Sequence, residues 1–149
     1  MNPAGKAHLQ NAVAVGREAR RRLPSLLAEL LDEQQGELTP EQAAPDTGVD
    51  FVVADGRGRR WLIDVNSSSR AGQVVRAAEQ LRAYTDAHSD AIPILVVPFM
   101  TPAGADAADQ AQLNWLDLSG NAHIRAEDLH VWVQGRPDEL RSRGRPSSP

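Results

Sequence analysis

The sequence predicts an α/β domain whose sheet is covered on both faces, and three features predict it. Asp50 to Asn66 reads as strand, turn and strand about Asp55-Gly56-Arg57-Gly58, because glycine accepts the positive φ that a tight hairpin turn requires. Ile92 to Met100 is a continuous apolar run of strand length bounded by turn residues, as expected of a buried central strand. Helix-forming stretches lie before the hairpin and between it and that run, and apolar residues of both parities in the hairpin (Phe51 and Val53, but also Val52 and Leu62) call for helices on both faces.

The first stretch, Ala7 to Gln34, is rich in Ala, Leu, Arg and Glu, with Leu23, Leu26, Leu27, Leu30 and Leu31 at helical spacing. Pro24 removes a backbone donor and crowds the preceding turn, so two helical pieces meeting near Arg22 and Leu23 are expected, with Gly36 closing the second. Glu37 to Gly48 holds two prolines and few large apolar residues, the composition of a loop or irregular edge segment. Ser67 to Ser69 supplies an N-cap for a helix from Arg70 to Ala87. Pro93 is placed at the start of the central strand. A small-residue helix from about Ala103 to Leu113 follows, then strands near Trp115 to Leu118, Ala122 to Ile124 and Leu129 to Gln134. The domain is expected to span residues 1–135. From Arg136 the chain has only Leu140 as an apolar anchor, with four arginines, two acids and three prolines, and 136–149 reads as a flexible tail or the start of a linker.

Composition narrows the function classes. With 149 residues, 41% hydrophobic, the chain can bury a core without cross-links. The absence of cysteine excludes disulfides and thiolate metal sites and suits a reducing compartment, so a cytoplasmic location is expected. No apolar run approaches the ~20 residues needed to span a bilayer. The net charge of −4 does not attract nucleic acid, yet Gly56 to Arg82 carries six arginines (Arg57, Arg59, Arg60, Arg70, Arg76 and Arg82) against Asp64 and Glu79, a local +4. Those arginines are candidate phosphate contacts or ordinary solvated charges, and any DNA binding through them should be weak and lost at high salt.

If the turn leaves Ala54 opposite Arg60, Asp50 lies directly across from Asp64, and strand alternation puts Asn66 on their face. Opposed carboxylates repel unless a divalent metal, an arginine or a raised pKa compensates. Oxygen ligands of this kind suit Mg²⁺, which can position phosphate and activate water. Alternatively, Asp50 caps the strand and Asp64 pairs with an arginine such as Arg60.

Gly48-Val49-Asp50-Phe51-Val52-Val53, followed by Trp61-Leu62-Ile63-Asp64-Val65-Asn66-Ser67-Ser68, resembles the aspartate and (D/E)xK hairpin of the PD-(D/E)xK nuclease superfamily. Gln80-Leu81-Arg82-Ala83-Tyr84 is similar to the QxxxY motif some members carry on the following helix, and Glu18 matches the first-helix acid that some add to the metal site. The resemblance covers about Arg17 to Met100 and implies a restriction-endonuclease-like mixed sheet flanked by helices. It implies Asp50 and Asp64, with Glu18, as metal ligands, and Gln80 and Tyr84 as site residues. Asn66 stands where the family has its catalytic lysine, and the chain's one lysine is Lys6. An amide cannot supply the missing ammonium, and arginine cannot act as the base.

The expected reading is therefore a catalytically degenerate nuclease-fold module of a bacterial DNA-binding regulator or defence protein, contacting nucleic acid or a protein partner and needing no cofactor. The alternatives are an active Mg²⁺-dependent endonuclease, or a sensor or dimerisation domain that binds no nucleic acid. Asn114 to Ala122 resembles a segment of bacterial proteins that join such a domain to a winged helix, which adds a C-terminal winged-helix domain and a homodimer to the partners considered. His123, Glu127 and His130 are irregularly spaced about a strand turn and are expected to be exposed polar residues.

Overall fold

The computed structural model describes residues 12–32, 38–41, 51–87, 90–126 and 129–138. The elements are α1 (Ala12–Leu30), β1 (Thr39–Glu41), β2 (Phe51–Ala54), β3 (Arg60–Val65), α2 (Ala71–Ala87), β4 (Ala91–Val97), α3 (Pro102–Gln110), β5 (Asn114–Asp117), β6 (Ala122–Ala126) and β7 (Leu129–Val133). Among the described residues all strands form one seven-stranded sheet in the order β1-β2-β3-β4-β5-β6-β7. The central pairs β3–β4 and β4–β5 are parallel and the outer pairs antiparallel. The fold is thus the expected α/β mixed sheet flanked by helices. Its opening order of helix, three strands, helix and strand is consistent with a restriction-endonuclease-like core.

Strand alternation decides which helix covers which face. On β4, Ile94 and Val96 join Trp61 and Ile63 of β3 in a core closed by Ala19, Leu23, Leu27 and Leu31 at the end of or just beyond α1. Leu95 and Val97 point the other way, into a second core with Val74, Ala77, Ala78 and Leu81 of α2 and Ala108 of α3. The central strand is therefore apolar at every position from Ile94 to Val97, as a strand buried on both faces must be.

Four expectations are corrected. Helix α1 runs unbroken through Pro24 instead of dividing near Arg22. The proline is exposed, on the face away from the sheet. Burial of Leu23, Leu27 and Leu31 on either side of it, each worth ~1.5–3 kcal/mol, outweighs its local cost of ~3 kcal/mol. The helix ends not at Gly36, which lies outside the described residues, but at Leu30, with Asp32 at φ 54°. Finally, Thr39–Glu41 is a regular edge strand paired with β2, and Pro93 lies within β4 opposite Leu62.

The hairpin has the register expected from the turn, Ala54 opposite Arg60 and Phe51 opposite Ile63. Its turn is built on a buried carboxylate. Asp55 Oδ1 accepts the backbone N–H groups of Arg57 and Arg59 at 2.9 Å, while Oδ2 accepts Arg59 Nε at 2.6 Å and Trp61 Nε1 at 2.9 Å. Burial alone would raise its pKa. The bonds from Trp61, Arg59 and Arg57 prevail and hold the carboxyl below its ordinary range.

Candidate functional site

Of the motif-bearing residues, Asp64 and Asn66 lie where β3 and β4 end. Asp64, half-buried near the end of β3, pairs with Leu95 and shares the strand parity of Leu62, so it lies on the face away from Trp61, Ile63 and α1. Asn66 extends the parallel ladder by one step, its N–H donating to Val96 O at 2.8 Å. Its side-chain Oδ1 accepts the Ser68 N–H at 3.2 Å, and Ser68 Oγ accepts the Arg70 N–H at 3.2 Å, so Asn66 and Ser68 together turn the chain from β3 into α2. The serine run thus does serve the start of that helix.

The neighbouring strand ends are tied to the same loop. Thr101 Oγ1 donates to Ser69 O at 3.2 Å and caps α3 by accepting the Gly104 N–H at 3.1 Å. Gly104 lets the two backbones touch, since a Cβ there would stand 2.1 Å from Ser69 O. At the end of β5, Asp117 is fully buried. Its Oδ1 accepts the N–H groups of Ser119 and Asn121, and its Oδ2 accepts those of Met100 and the Asn121 amide, all at 2.9–3.0 Å. Burial is the largest influence and pushes this carboxyl above its ordinary range despite the four bonds. The distinctive Asn114 to Ala122 segment is accordingly strand, turn and strand, locked by its own aspartate.

The structure brings only part of the predicted constellation together. Asp50 lies outside the described residues, and the described register stops one step short of it at Phe51 and Ile63. Glu18 is on α1, the helix covering the opposite face from Asp64, and is ion-paired with Arg21. Gln80 is exposed and Tyr84 half-buried, about 14 and 20 Å along the axis of α2 from Ala71, whose end of the helix adjoins Asn66.

The arginines are likewise dispersed. Arg59 is bound to Asp55 and lies over the Trp61 ring, 5.9 Å from its centre. Arg82 donates to Ala111 O at 2.9 Å, closing the end of α3. Arg60 faces Asp90 at 3.8 Å, at the opposite end of β3 from Asn66. Arg57, Arg70 and Arg76 are exposed, at the hairpin turn, at the start of α2 and on its outer face.

A second polar cluster lies on β6 and β7. His123 is buried, not exposed: its Nδ1 is 3.0 Å from Asp109 Oδ1, its Nε2 is 3.4 Å from His130 Nε2, and its ring stacks on Trp132 with centres 4.9 Å apart. Beside it is a pocket of about 250 Å³ lined by Asp109, Gln112, Leu113, Asn114, His123 and Arg125. The seven-residue spacing of the histidines hid their approach, which requires the β6–β7 register; Glu127 lies outside the described residues. Arg136, read as the first tail residue, is anchored as well, its N–H donating to Asn121 Oδ1 at 2.8 Å and its Nη2 lying 3.4 Å from Glu29. Among the described residues no helix is long and apolar enough to cross a membrane.

No protein-family model and no curated protein matches the sequence. Among solved structures, the chain is similar to the EndoMS–dsDNA2 complex, with a TM-score of 0.47 and 16% identity over 67% of this chain and 44% of that one. It is similar also to a repair endonuclease from Pyrococcus abyssi, at 0.45 and 15% over 64% and 45%. EndoMS in apo form gives 0.42 and 14% over 64% and 42%. The chain therefore spans less than half the length of each of these proteins.

Proposed function

We propose that this chain is a nuclease-fold module that has lost phosphodiester hydrolysis and works by contacting DNA weakly, within a bacterial DNA-binding regulator or defence protein. The observation that carries the proposal is the state of Asn66. At the position where the resembled family has a lysine, this chain has an amide whose oxygen is committed to the turn into α2. An amide there offers no cation to a developing phosphorane, and loss of one such transition-state contact costs on the order of 10²–10³ in rate. Exposed Arg57, Arg70 and Arg76 leave a few phosphate contacts at separate points, which favours weak, salt-sensitive association over a tight complex.

The test is incubation of the protein at near-stoichiometric concentration with linear, supercoiled and single-stranded DNA in Mg²⁺ or Mn²⁺. No cleavage is expected. Metal-dependent cleavage that disappears in Asp64→Ala would overturn the proposal in favour of an active endonuclease.

A further inference from the structure

We propose that His123 and His130 form a two-histidine site for a borderline transition-metal ion of the Zn²⁺ class, with Asp109 as its positioning residue. Two imidazoles bound to one tetrahedral ion at ~2.0–2.1 Å hold their nitrogens about 3.3–3.4 Å apart. The Nε2 atoms of His123 and His130 are 3.4 Å apart, a separation too long for a good N–H hydrogen bond and well suited to a shared ion.

The surroundings prepare His123 for this task. Asp109 Oδ1 lies 3.0 Å from Nδ1, so the neutral ring carries its proton on Nδ1, donated to the carboxylate, and presents the Nε2 lone pair toward His130. A carboxylate on the far nitrogen is the usual outer partner of a metal-bound histidine, fixing the ring and raising its basicity. Trp132 stacks on the His123 ring at an interplanar angle of 13° and limits its rotation. His123 is thereby held rigid, while exposed His130, diagonally across the hairpin, can adjust to an incoming ion.

The charge balance is mixed. Arg125 stands directly opposite His130 and opposes a cation, whereas Asp109 favours one. Among the described residues no group of three His, Asp or Glu side chains could hold a metal, so water completes the coordination. Imidazole ligation suits Zn²⁺, Ni²⁺, Co²⁺ and Cu²⁺ and excludes Mg²⁺ and Ca²⁺, which demand oxygen. The site lies on β6 and β7, away from Asp64 on β3 and Asn66 just beyond it, and does not depend on the nuclease-fold reading.

The experiment is calorimetric titration of the full chain with ZnCl₂, paired with thermal melts with and without Zn²⁺ and the visible spectrum of the Co²⁺ form. One equivalent bound, a rise in Tm and Co²⁺ ligand-field bands are expected in the wild type. His130→Ala, at an exposed position, should stay folded and lose all three, and Asp109→Asn should weaken binding roughly tenfold or more. The proposal fails if the wild type shows neither Zn²⁺ binding nor a Tm rise, or if His130→Ala binds as the wild type does.

Discussion

Asn121 grips Asp117 twice, its backbone N–H reaching Oδ1 at 2.9 Å and its side-chain amide reaching Oδ2 at 3.0 Å, inside a turn from which solvent is excluded. Because all four groups around Asp117 are donors, an amide in its place would turn an N–H₂ against two of them. Asp117→Asn should therefore cost nearly as much as Asp117→Ala, roughly 2–4 kcal/mol, measured by urea unfolding. Asn121→Ala, which also frees the backbone of Arg136, should fall in the same range.

Asp55 and Asp117 should act on pH stability with opposite signs. The Asp55 carboxyl is depressed in the fold, so its contribution is complete above the unfolded carboxylate pKa of ~4 and is lost as pH falls through the lower folded value. Asp117 is raised, so its contribution is greatest below the unfolded value and declines as pH climbs toward the folded one. Thermal melts across the acid range should show Asp55→Asn less stable than wild type by roughly 2–4 kcal/mol at neutral pH, with a flatter acid limb.

Gly104 and Gly120 should differ in their tolerance of alanine. A Cβ on Gly104 meets the Ser69 carbonyl, which is backbone and cannot swing aside, so Gly104→Ala should cost about 3 kcal/mol and loosen α3 from the β3–α2 loop. A Cβ on Gly120 meets the Arg136 guanidinium, which can move, leaving mainly the strain of φ 96°, about 1–2 kcal/mol. Midpoints of denaturant unfolding for the two variants test that order.

DNA binding through Arg57, Arg70 and Arg76, measured across salt concentrations, should show a log–log slope no steeper than about −3. Charge reversal at Arg76 should weaken it without affecting Tm. Arg82→Ala should cost ~1 kcal/mol of stability through its lost bond to Ala111 O.

The fold was legible in the sequence wherever local chemistry decides. The Asp55 to Gly58 turn determined the hairpin register, and the unbroken apolar run from Ile94 to Val97 marked the central strand. Pro24 was misread because its cost is local while the compensation comes from leucines packed on a sheet that forms later in the chain. The six arginines looked like a patch because they are close in sequence, but β3 and α2 carry them to different ends of the domain. The candidate acids could be named from their motif, whereas the meeting of Asp109, His123 and His130 depends on a helix end and two strands coming together. No spacing rule announces that.

The strand order, identical to the chain order, bears on how the domain assembles. Every strand finds a partner among its immediate neighbours in sequence, so the sheet can lengthen step by step during synthesis, without waiting for a distant segment to return. Helix α1 is the exception: emerging first, it completes its core only against residues as late as Leu116, Leu118 and Ile124. Until β6 has left the ribosome, the leucine stripe of α1 remains incompletely covered, and that interval is when the nascent chain is most exposed to aggregation or chaperone capture.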